Sequence, residues 1–216
     1  MIQTRDLQFQ YPRGPVMHFP DFSLEDKENC LVLGESGSGK TSFLHLISGL
    51  LSPSRGEILI QDKDITQLNA GDMDRFRGEK IAVIFQRPHF ISSLSVLDNL
   101  LIAQDLVGKD RDPSSALDLL GKLNLKHKAL SKTNQLSQGE KQRISIARAL
   151  VNRPHVILAD EPTSALDDKN TDIVVDLLKR VSEEIEANLV VVTHDQRLKS
   201  AFENQIILED TTNPQV

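Results

Sequence analysis

The sequence GESGSGKT, residues 34–41, fits the phosphate-binding pattern G-x-x-x-x-G-K-[ST] at every fixed position. An apolar run at 30–33 precedes it, and apolar residues at helical spacing follow it from Phe43 to Leu50. The sequence therefore predicts a buried parallel strand, a glycine-rich turn and a helix. In such a turn, successive backbone N–H groups face anionic oxygens, and the helix N-terminus adds the positive end of its dipole. We therefore expect a triphosphate to bind here.

Two side chains of this stretch have predicted tasks. Lys40 is expected to reach the β and γ phosphates, and Thr41 is expected to offer its hydroxyl to the Mg²⁺ that bridges them. The predicted contact residues are Gly34, Glu35, Ser36, Gly37, Ser38, Gly39, Lys40, Thr41 and Ser42. The alternative is a glycine-rich loop without function. The strand before the loop and the helix after it favour the phosphate site.

Length and composition fit one domain, or one domain with an embedded subdomain. The 216 residues include 31 acidic and 25 basic side chains, and the net charge of −6 argues against a nucleic-acid surface. The single cysteine, Cys30, falls in a predicted core strand, so a reducing compartment, the cytoplasm, is expected. The sequence shows no leader pattern and no apolar run near the ~20 residues that span a bilayer. We expect any work at a membrane to go through a partner chain.

Three later apolar runs predict buried strands that end in polar side chains. The runs cover 81–85, 156–159 and 189–193, and they are followed by Gln86, by Asp160 with Glu161, and by His194. Ligands bind at the carboxyl edge of such sheets, so these side chains are candidates for the same site as the phosphate loop. Two adjacent carboxylates have no packing reason to follow a buried strand. We expect Asp160 to serve Mg²⁺, usually through water, and Glu161 to polarise an attacking water.

The stretch 87–149 shows no strand signal and is interpreted as a helical insertion. The predicted helix starts are the capping boxes Ser95-x-x-Asp98 and Ser137-x-x-Glu140 and the proline Pro113. The first of these helices is predicted to run to Val107, with Gly108 as its stop. Before the phosphate loop, 7–11 and 22–24 are predicted strands, and after it Pro53 to Gly56 predicts a turn into a strand at 57–60.

These elements, in this order, resemble the nucleotide-binding subunit of ATP-binding cassette transporters over nearly the whole chain, from Tyr11 to His194. The resemblance implies that Tyr11 stacks on adenine and that His194 is the switch histidine. It implies that Gln86 joins Mg²⁺ and the water to the membrane-facing segment. Leu136-Ser137-Gln138-Gly139-Glu140 is similar to the family signature, and Ser164 to Asp167 to the loop that follows the catalytic glutamate, with Asp167 as a nucleotide contact.

The implied fold is α/β, a P-loop NTPase (RecA-like) core with a mostly parallel sheet, an N-terminal antiparallel β subdomain and an inserted α-helical subdomain. A single domain is expected, with 1–86 and 150–216 as the core and 87–149 as the helical part. The implied activity is hydrolysis of ATP with Mg²⁺, to power transport or extraction through separate membrane-spanning permease chains. A homodimer with two shared ATP sites, held at the inner face of the cell membrane by the permease, is expected, with no nucleic-acid partner.

The alternative is a soluble cassette ATPase that acts on nucleic acid or ribosomes. Relatives of that kind carry a long coiled-coil insertion or two cassettes, and this sequence shows neither. A GTPase is disfavoured because no Asn-Lys-x-Asp motif is present. Gln138 and Glu140 depart from the common signature. Glu140 and the run 159–163 are similar to cassettes of the lipoprotein-release and macrolide-export type. The sequence leaves the substrate, the direction of transport and the permease open.

Overall fold

The structure is a computed structural model that describes residues 1–164 and 168–209, and their side chains except at 168–170. In chain order its main elements are β1 (Ile2–Gln10), β2 (Val16–His18), β3 (Phe22–Leu24), β4 (Asn29–Gly34), α1 (Lys40–Ile47), β5 (Arg55–Ile60), β6 (Lys63–Asp64), α2 (Ala70–Lys80), β7 (Ile81–Ile84), α3 (Val96–Asp105), α4 (Pro113–Lys122), α5 (Gln138–Leu150), β8 (Val156–Asp160), α6 (Asp168–Glu184), β9 (Asn188–Thr193) and β10 (Asn204–Leu208). Short 3-10 turns occupy 65–67, 126–128, 133–135 and 196–201.

A parallel sheet forms the middle layer, with the spatial order β10-β4-β9-β8-β7. All four pairings between neighbouring strands are parallel. The carboxyl ends of the strands therefore meet at one edge. Gly34, Ile84, Asp160 and Thr193 stand at that edge as the last residues of β4, β7, β8 and β9.

The two faces of this sheet bury different cores, because successive side chains of a strand point to opposite faces. The odd-numbered apolar residues of β4, β8 and β9 pack with α3 to α6, for example Leu31 with Ile144 in the same buried cluster. The even-numbered residues pack with α1 and the antiparallel sheet, for example Val32 with Phe43. Apolar residues in direct succession, as at 156–159, are the expected result of burial on both faces.

An antiparallel sheet covers the α1 side, with the order β2-β1-β5-β6 and with β3 paired to β1. Its register shifts between Arg5 and Gln8, opposite Gly56. Gly56 has a φ of +93°, and a Cβ there would lie 2.5 Å from the carbonyl oxygens of Arg5 and Asp6. The expectation of a turn through Gly56 was therefore wrong by two residues, since β5 begins at Arg55 and Gly56 lies within it, opposite the bulge that Asp6 and Leu7 form in β1.

The helical stretch between β7 and β8 holds α3, α4 and α5. Both predicted capping boxes are present: Ser95 accepts from the N–H of Asp98 at 3.1 Å, and Ser137 from the N–H of Glu140 at 3.3 Å. α3 ends at Asp105, two residues before the predicted end, and Gly108 follows with a φ of +72°. The mixed antiparallel and parallel architecture confirms the predicted fold class. The subdomain limits at 86–87 and 149–150 stay predictions.

Candidate active site

The phosphate loop joins β4 to α1, and its shape depends on glycine. Gly37 and Gly39 adopt φ values of +89° and +95°, which side chains other than glycine rarely accept. A Cβ on Gly34 would lie 2.3 Å from the Oγ of Ser38 and 2.7 Å from the carbonyl oxygen of Leu208. The backbone of the loop therefore packs directly against the end of the neighbouring strand β10.

Lys40 is buried at the first turn of α1, with 7 % of its surface exposed. Its Nζ donates to the carbonyl oxygens of Gly34 and Glu35, at 2.8 and 2.7 Å. The ammonium group is thus held over the loop by two hydrogen bonds. A cation at this point, next to the N-terminus of a helix, favours an anion in the space that the loop encloses.

Thr41 and Asp160 bring the phosphate loop together with the end of β8. The Oγ1 of Thr41 lies 3.3 and 3.2 Å from the two carboxylate oxygens of Asp160. Burial raises the pKa of Asp160 above its ordinary value, against the opposing effect of the Thr41 hydrogen bond. The site thus contains a desolvated carboxylate, a group that gains from a nearby cation.

Glu161 has a left-handed backbone conformation, with a φ of +46°. Its Oε2 accepts from the Oγ1 of Thr193 at 2.9 Å, and its Oε1 accepts from the backbone N–H of His194 at 3.1 Å. The Nδ1 of His194 lies 2.7 Å from the same Oε1. Left-handed backbone costs about 1–3 kcal/mol for a residue with a side chain, and these contacts with the end of β9 hold it in place.

Gln86 follows β7 and contacts Ser164, three residues after Glu161. Its Nε2 donates to the Oγ of Ser164 at 3.2 Å, and that hydroxyl donates to the carbonyl oxygen of Glu161 at 3.1 Å. A hydrogen-bonded path therefore connects the end of β7 with the backbone of Glu161.

A cavity of about 620 Å³ is lined by most of the predicted site residues. The lining residues are Tyr11, Pro15, Met17, Ser36, Gly37, Gly39, Lys40, Thr41, Ser42, Gln86, Glu161 and His194. Tyr11 stands at its rim with 44 % of its surface exposed, and its hydroxyl lies 3.0 Å from the Oγ of Ser42. The volume falls within the usual range for a small-molecule site. Gly34, Glu35 and Ser38 line a neighbouring cavity that shares Ser36 and Gly37 with this one. Asp160 reaches the site through Thr41.

Ser137 and Gly139 are not among the described residues that line this cavity. Ser137 is the N-cap of α5, with its own N–H donated to the Oε2 of Glu140 at 2.8 Å. The structure therefore presents the predicted signature as a helix start apart from the phosphate loop. The predicted contact of Asp167 lies outside the described residues.

Sequence reasoning missed Thr193, Pro15 and Met17 at this site. The sequence predicts Thr193 only as the last residue of a strand, and no signal in the sequence connects its hydroxyl with Glu161. The sequence predicts Pro15 as part of a turn, and Met17 belongs to β2, for which the sequence shows no clear strand signal.

The sequence matches the family described as ABC transporter over residues 18–164. The chain therefore belongs to the ATP-binding cassette transporter family, and it is an ATPase of the class that binds ATP at a phosphate loop. The predicted family and activity are confirmed. Among the residues that the structure describes, no helix is long and apolar enough to cross a bilayer.

Two curated relatives show where the chain stands within this family. It is 42 % identical over 212 residues to the macrolide export ATP-binding/permease protein MacB of Campylobacter jejuni, covering 97 % of this chain and 33 % of that protein. It is 33 % identical over 216 residues to the lipoprotein-releasing system ATP-binding protein LolD of Idiomarina loihiensis, covering 97 % of this chain and 95 % of that protein. The chain thus spans nearly all of one relative and one third of the other.

The fold also matches a solved structure, the dimeric ATP-binding cassette MJ0796 in a post-hydrolysis state bound to ADP and Pi. The TM-score is 0.88 with 32 % identity, covering 98 % of this chain and 95 % of that chain.

Proposed function

We propose that ATP is hydrolysed in the 620 Å³ cavity with Glu161 as the general base. The observation that carries this proposal is that Glu161 and Lys40 line the same cavity. The ammonium group of Lys40, at the start of α1, would bind the β and γ phosphates. The carboxylate of Glu161, after β8, would polarise the water that attacks the γ phosphorus. His194, in contact with Glu161, would hold the γ phosphate and the carboxylate in one arrangement. Tyr11 at the rim would stack on the adenine ring.

The residues beside Asp160 fit a magnesium ion. Mg²⁺ prefers oxygen ligands and is usually held by one or two protein groups, with water and phosphate oxygens as the rest. The hydroxyl of Thr41 and the carboxylate of Asp160 supply such oxygens within 3.3 Å of each other, and the side-chain oxygen of Gln86 could supply another. A cation would favour the charged form of the buried Asp160, whose pKa is raised by burial. A bound ion would neutralise charge on the phosphates.

The active unit that we propose is a head-to-tail dimer of two copies. The N-terminus of α5 is a second anion-binding surface, with Ser137 as its cap, and it does not line the cavity of its own chain. Ser137 and Gly139 of one copy would complete the γ-phosphate site of the other, which gives two ATP molecules between symmetry-related surfaces. The dimeric form of the similar cassette MJ0796 supports this arrangement.

A mixed dimer tests the shared sites. Lys40→Ala disables both phosphate loops of a homodimer, and Ser137→Arg disables both signatures, so each variant alone should be inactive. A mixed dimer has one interface with both lesions and one with neither, so first-turnover hydrolysis should return, up to what one intact site supports. If a mixture shown to contain mixed dimers hydrolysed no more ATP than either parent, the shared-site arrangement would be refuted.

We further propose that the chain powers transport or extraction through separate permease chains at the inner face of the membrane. Its similarity to a lipoprotein-releasing system ATP-binding protein and to a macrolide export ATP-binding/permease protein supports this proposal. Co-purification from membranes, with identification of the bound chain, tests the proposal. Recovery of the wild-type chain bound to a multi-spanning membrane protein is the expected result. Recovery with ribosomes or nucleic acid would contradict it.

A further inference from the structure

We infer that Thr193 is a positioning residue for hydrolysis, and that its hydroxyl fixes the orientation of the Glu161 carboxylate that accepts the proton of water. The inference rests on the proposed role of Glu161 as the base. Thr193 is the last residue of β9, and none of its surface is exposed. It does not line the cavity proposed for ATP, whereas Glu161, to which its hydroxyl donates, does.

The hydrogen bonds around Thr193 set the direction in which its proton points. The backbone N–H of Asp195 donates to the Oγ1 of Thr193 at 3.0 Å. Because an N–H can only donate, the hydroxyl accepts this bond and keeps its own proton for another partner. The Oε2 of Glu161, at 2.9 Å, is an acceptor whenever the carboxylate is ionised. Thr193 therefore donates to Glu161, and the N–H of Asp195 favours that orientation.

The backbone of Glu161 explains why such a donor is needed. With a φ of +46°, the residue leaves the line of β8, although its N–H still bonds to the carbonyl oxygen of Val192 at 2.9 Å. The side chain thus starts from a strained turn beside β9. The hydroxyl of Thr193 ties Oε2 to that strand, whereas Oε1 contacts His194, whose ring lines the cavity. The structure thus holds both carboxylate oxygens at the end of β9, with Thr193 on Oε2 and His194 on Oε1, and loss of the Thr193 hydroxyl would free the carboxylate to rotate.

A purely structural role for Thr193 makes a different prediction. The hydrogen bond from the N–H of Asp195 to Thr193 lies at the start of the 3-10 turn at 196–201. Its loss would lower the stability of the fold independently of Glu161. A structural role would therefore affect stability and nucleotide binding together. If Thr193 instead positions Glu161, its loss should lower kcat at saturating ATP. That effect should disappear when the Glu161 carboxylate is absent.

The experiment compares Thr193→Val, which keeps the branched shape, with Thr193→Ser, which keeps the hydroxyl. Misplacement of a reacting group by about 1 Å can cost roughly a hundredfold in rate, so we expect Thr193→Val to lower kcat about tenfold to a hundredfold. KM for ATP should stay close to the parent value, and Thr193→Ser should restore most of the rate. Thr4→Val is the matched control, since Thr4 is buried in β1 and donates to the carbonyl oxygen of Pro20 at 3.4 Å, outside the site. It should leave kcat unchanged.

A double variant separates positioning from structure. In a Glu161→Gln background the base is absent, so adding Thr193→Val should change neither the residual single-turnover rate nor the affinity for Mg-ATP. A parent-like kcat for Thr193→Val, or an equal further loss in the Glu161→Gln background, would overturn the inference. If Thr193→Val does not fold, Thr193→Ala is measured in its place with the same criteria. Failure of the proposed base itself is distinguishable, because Glu161→Gln alone would then hydrolyse ATP at the parent rate.

Discussion

Glu161 combines a left-handed backbone with a carboxylate held from two directions. Its neighbour Asp160 is buried and accepts a hydrogen bond from Thr41. Two adjacent carboxylates thus have different surroundings, one desolvated and one tied to donors on β9. This difference matches the separate roles proposed for them, a metal ligand and a base.

Glu161→Gln keeps the shape of the side chain and removes the proposed base. A general base contributes about 10²- to 10⁴-fold, so we expect hydrolysis to fall by at least about a hundredfold while Mg-ATP still binds. Lys40→Ala should instead weaken binding itself. Equilibrium binding of labelled ATP and release of phosphate separate the two effects. Unchanged turnover by the Glu161→Gln protein would refute the assignment of the base.

Asp160→Asn should make the nucleotide-free protein more stable at pH 7, at the expense of activity. Burial raises the pKa of Asp160, so keeping it ionised costs free energy in the folded state. That cost is absent below the ordinary pKa of aspartate and complete above the raised value. The advantage of the variant in melting temperature should therefore shrink as the pH falls toward 4. A lower melting temperature for Asp160→Asn than for the parent at pH 7, without Mg²⁺ or ATP, would contradict this.

At the scale of elements, α3 and α5 offer a matched comparison. Both begin at a serine in a reciprocal capping box. Loss of such a cap costs about 1 kcal/mol, so Ser95→Ala and Ser137→Ala should lower the free energy of unfolding by similar amounts. ATP hydrolysis should fall only in Ser137→Ala, since that serine is proposed to reach a phosphate of the second copy. Equal loss of activity in both, measured by denaturant melts and ATPase assays, would argue against the shared site.

Elements with a strong apolar signal were predicted, and those without it were missed. Uninterrupted apolar runs predicted β7, β8 and β9 to within one residue, because strands buried on both faces show no alternation. α2 was not predicted, since Met73 is its one buried residue. β2 has three residues and follows a proline-rich turn. The first half of β1 was missed where a buried polar residue, Thr4, interrupts its apolar pattern.

The sequence predicts those residues of the candidate site that follow the ends of the parallel strands. Gln86, Asp160 and His194 were placed near the phosphate loop because parallel strands share a carboxyl edge. The contact between Thr193 and Glu161 could not be predicted, since it needs β8 and β9 to be neighbours and Glu161 to turn into a left-handed conformation. Neither the strand order nor that φ value follows from the residues alone.

For the whole molecule, the segment 87–97 after Gln86 is proposed as the place where a permease helix docks. Arg87 and Ile91 are exposed there, and Gln86 connects the segment with the backbone of Glu161 through Ser164. We expect Arg87→Glu to leave basal ATP hydrolysis intact and to abolish transport in reconstituted vesicles. Lys126→Glu, a reversal at an exposed cation elsewhere in the helical stretch, is the control. Cross-links from the permease to the region after β10, with none to 87–97, would contradict this docking site.

The two hydrogen bonds that Lys40 donates to the carbonyl oxygens of Gly34 and Glu35 make nucleotide binding an exchange of partners. Phosphate oxygens must compete with those carbonyls for the same ammonium protons, so part of the heat released on binding is offset by contacts that are given up. The same two hydrogen bonds also stabilise the conformation of the phosphate loop in the absence of ligand. Lys40→Ala should therefore also speed amide hydrogen exchange at residues 35–39 in the absence of ligand. The weak nucleotide binding of this variant would then reflect a less ordered phosphate loop as well as the missing charge.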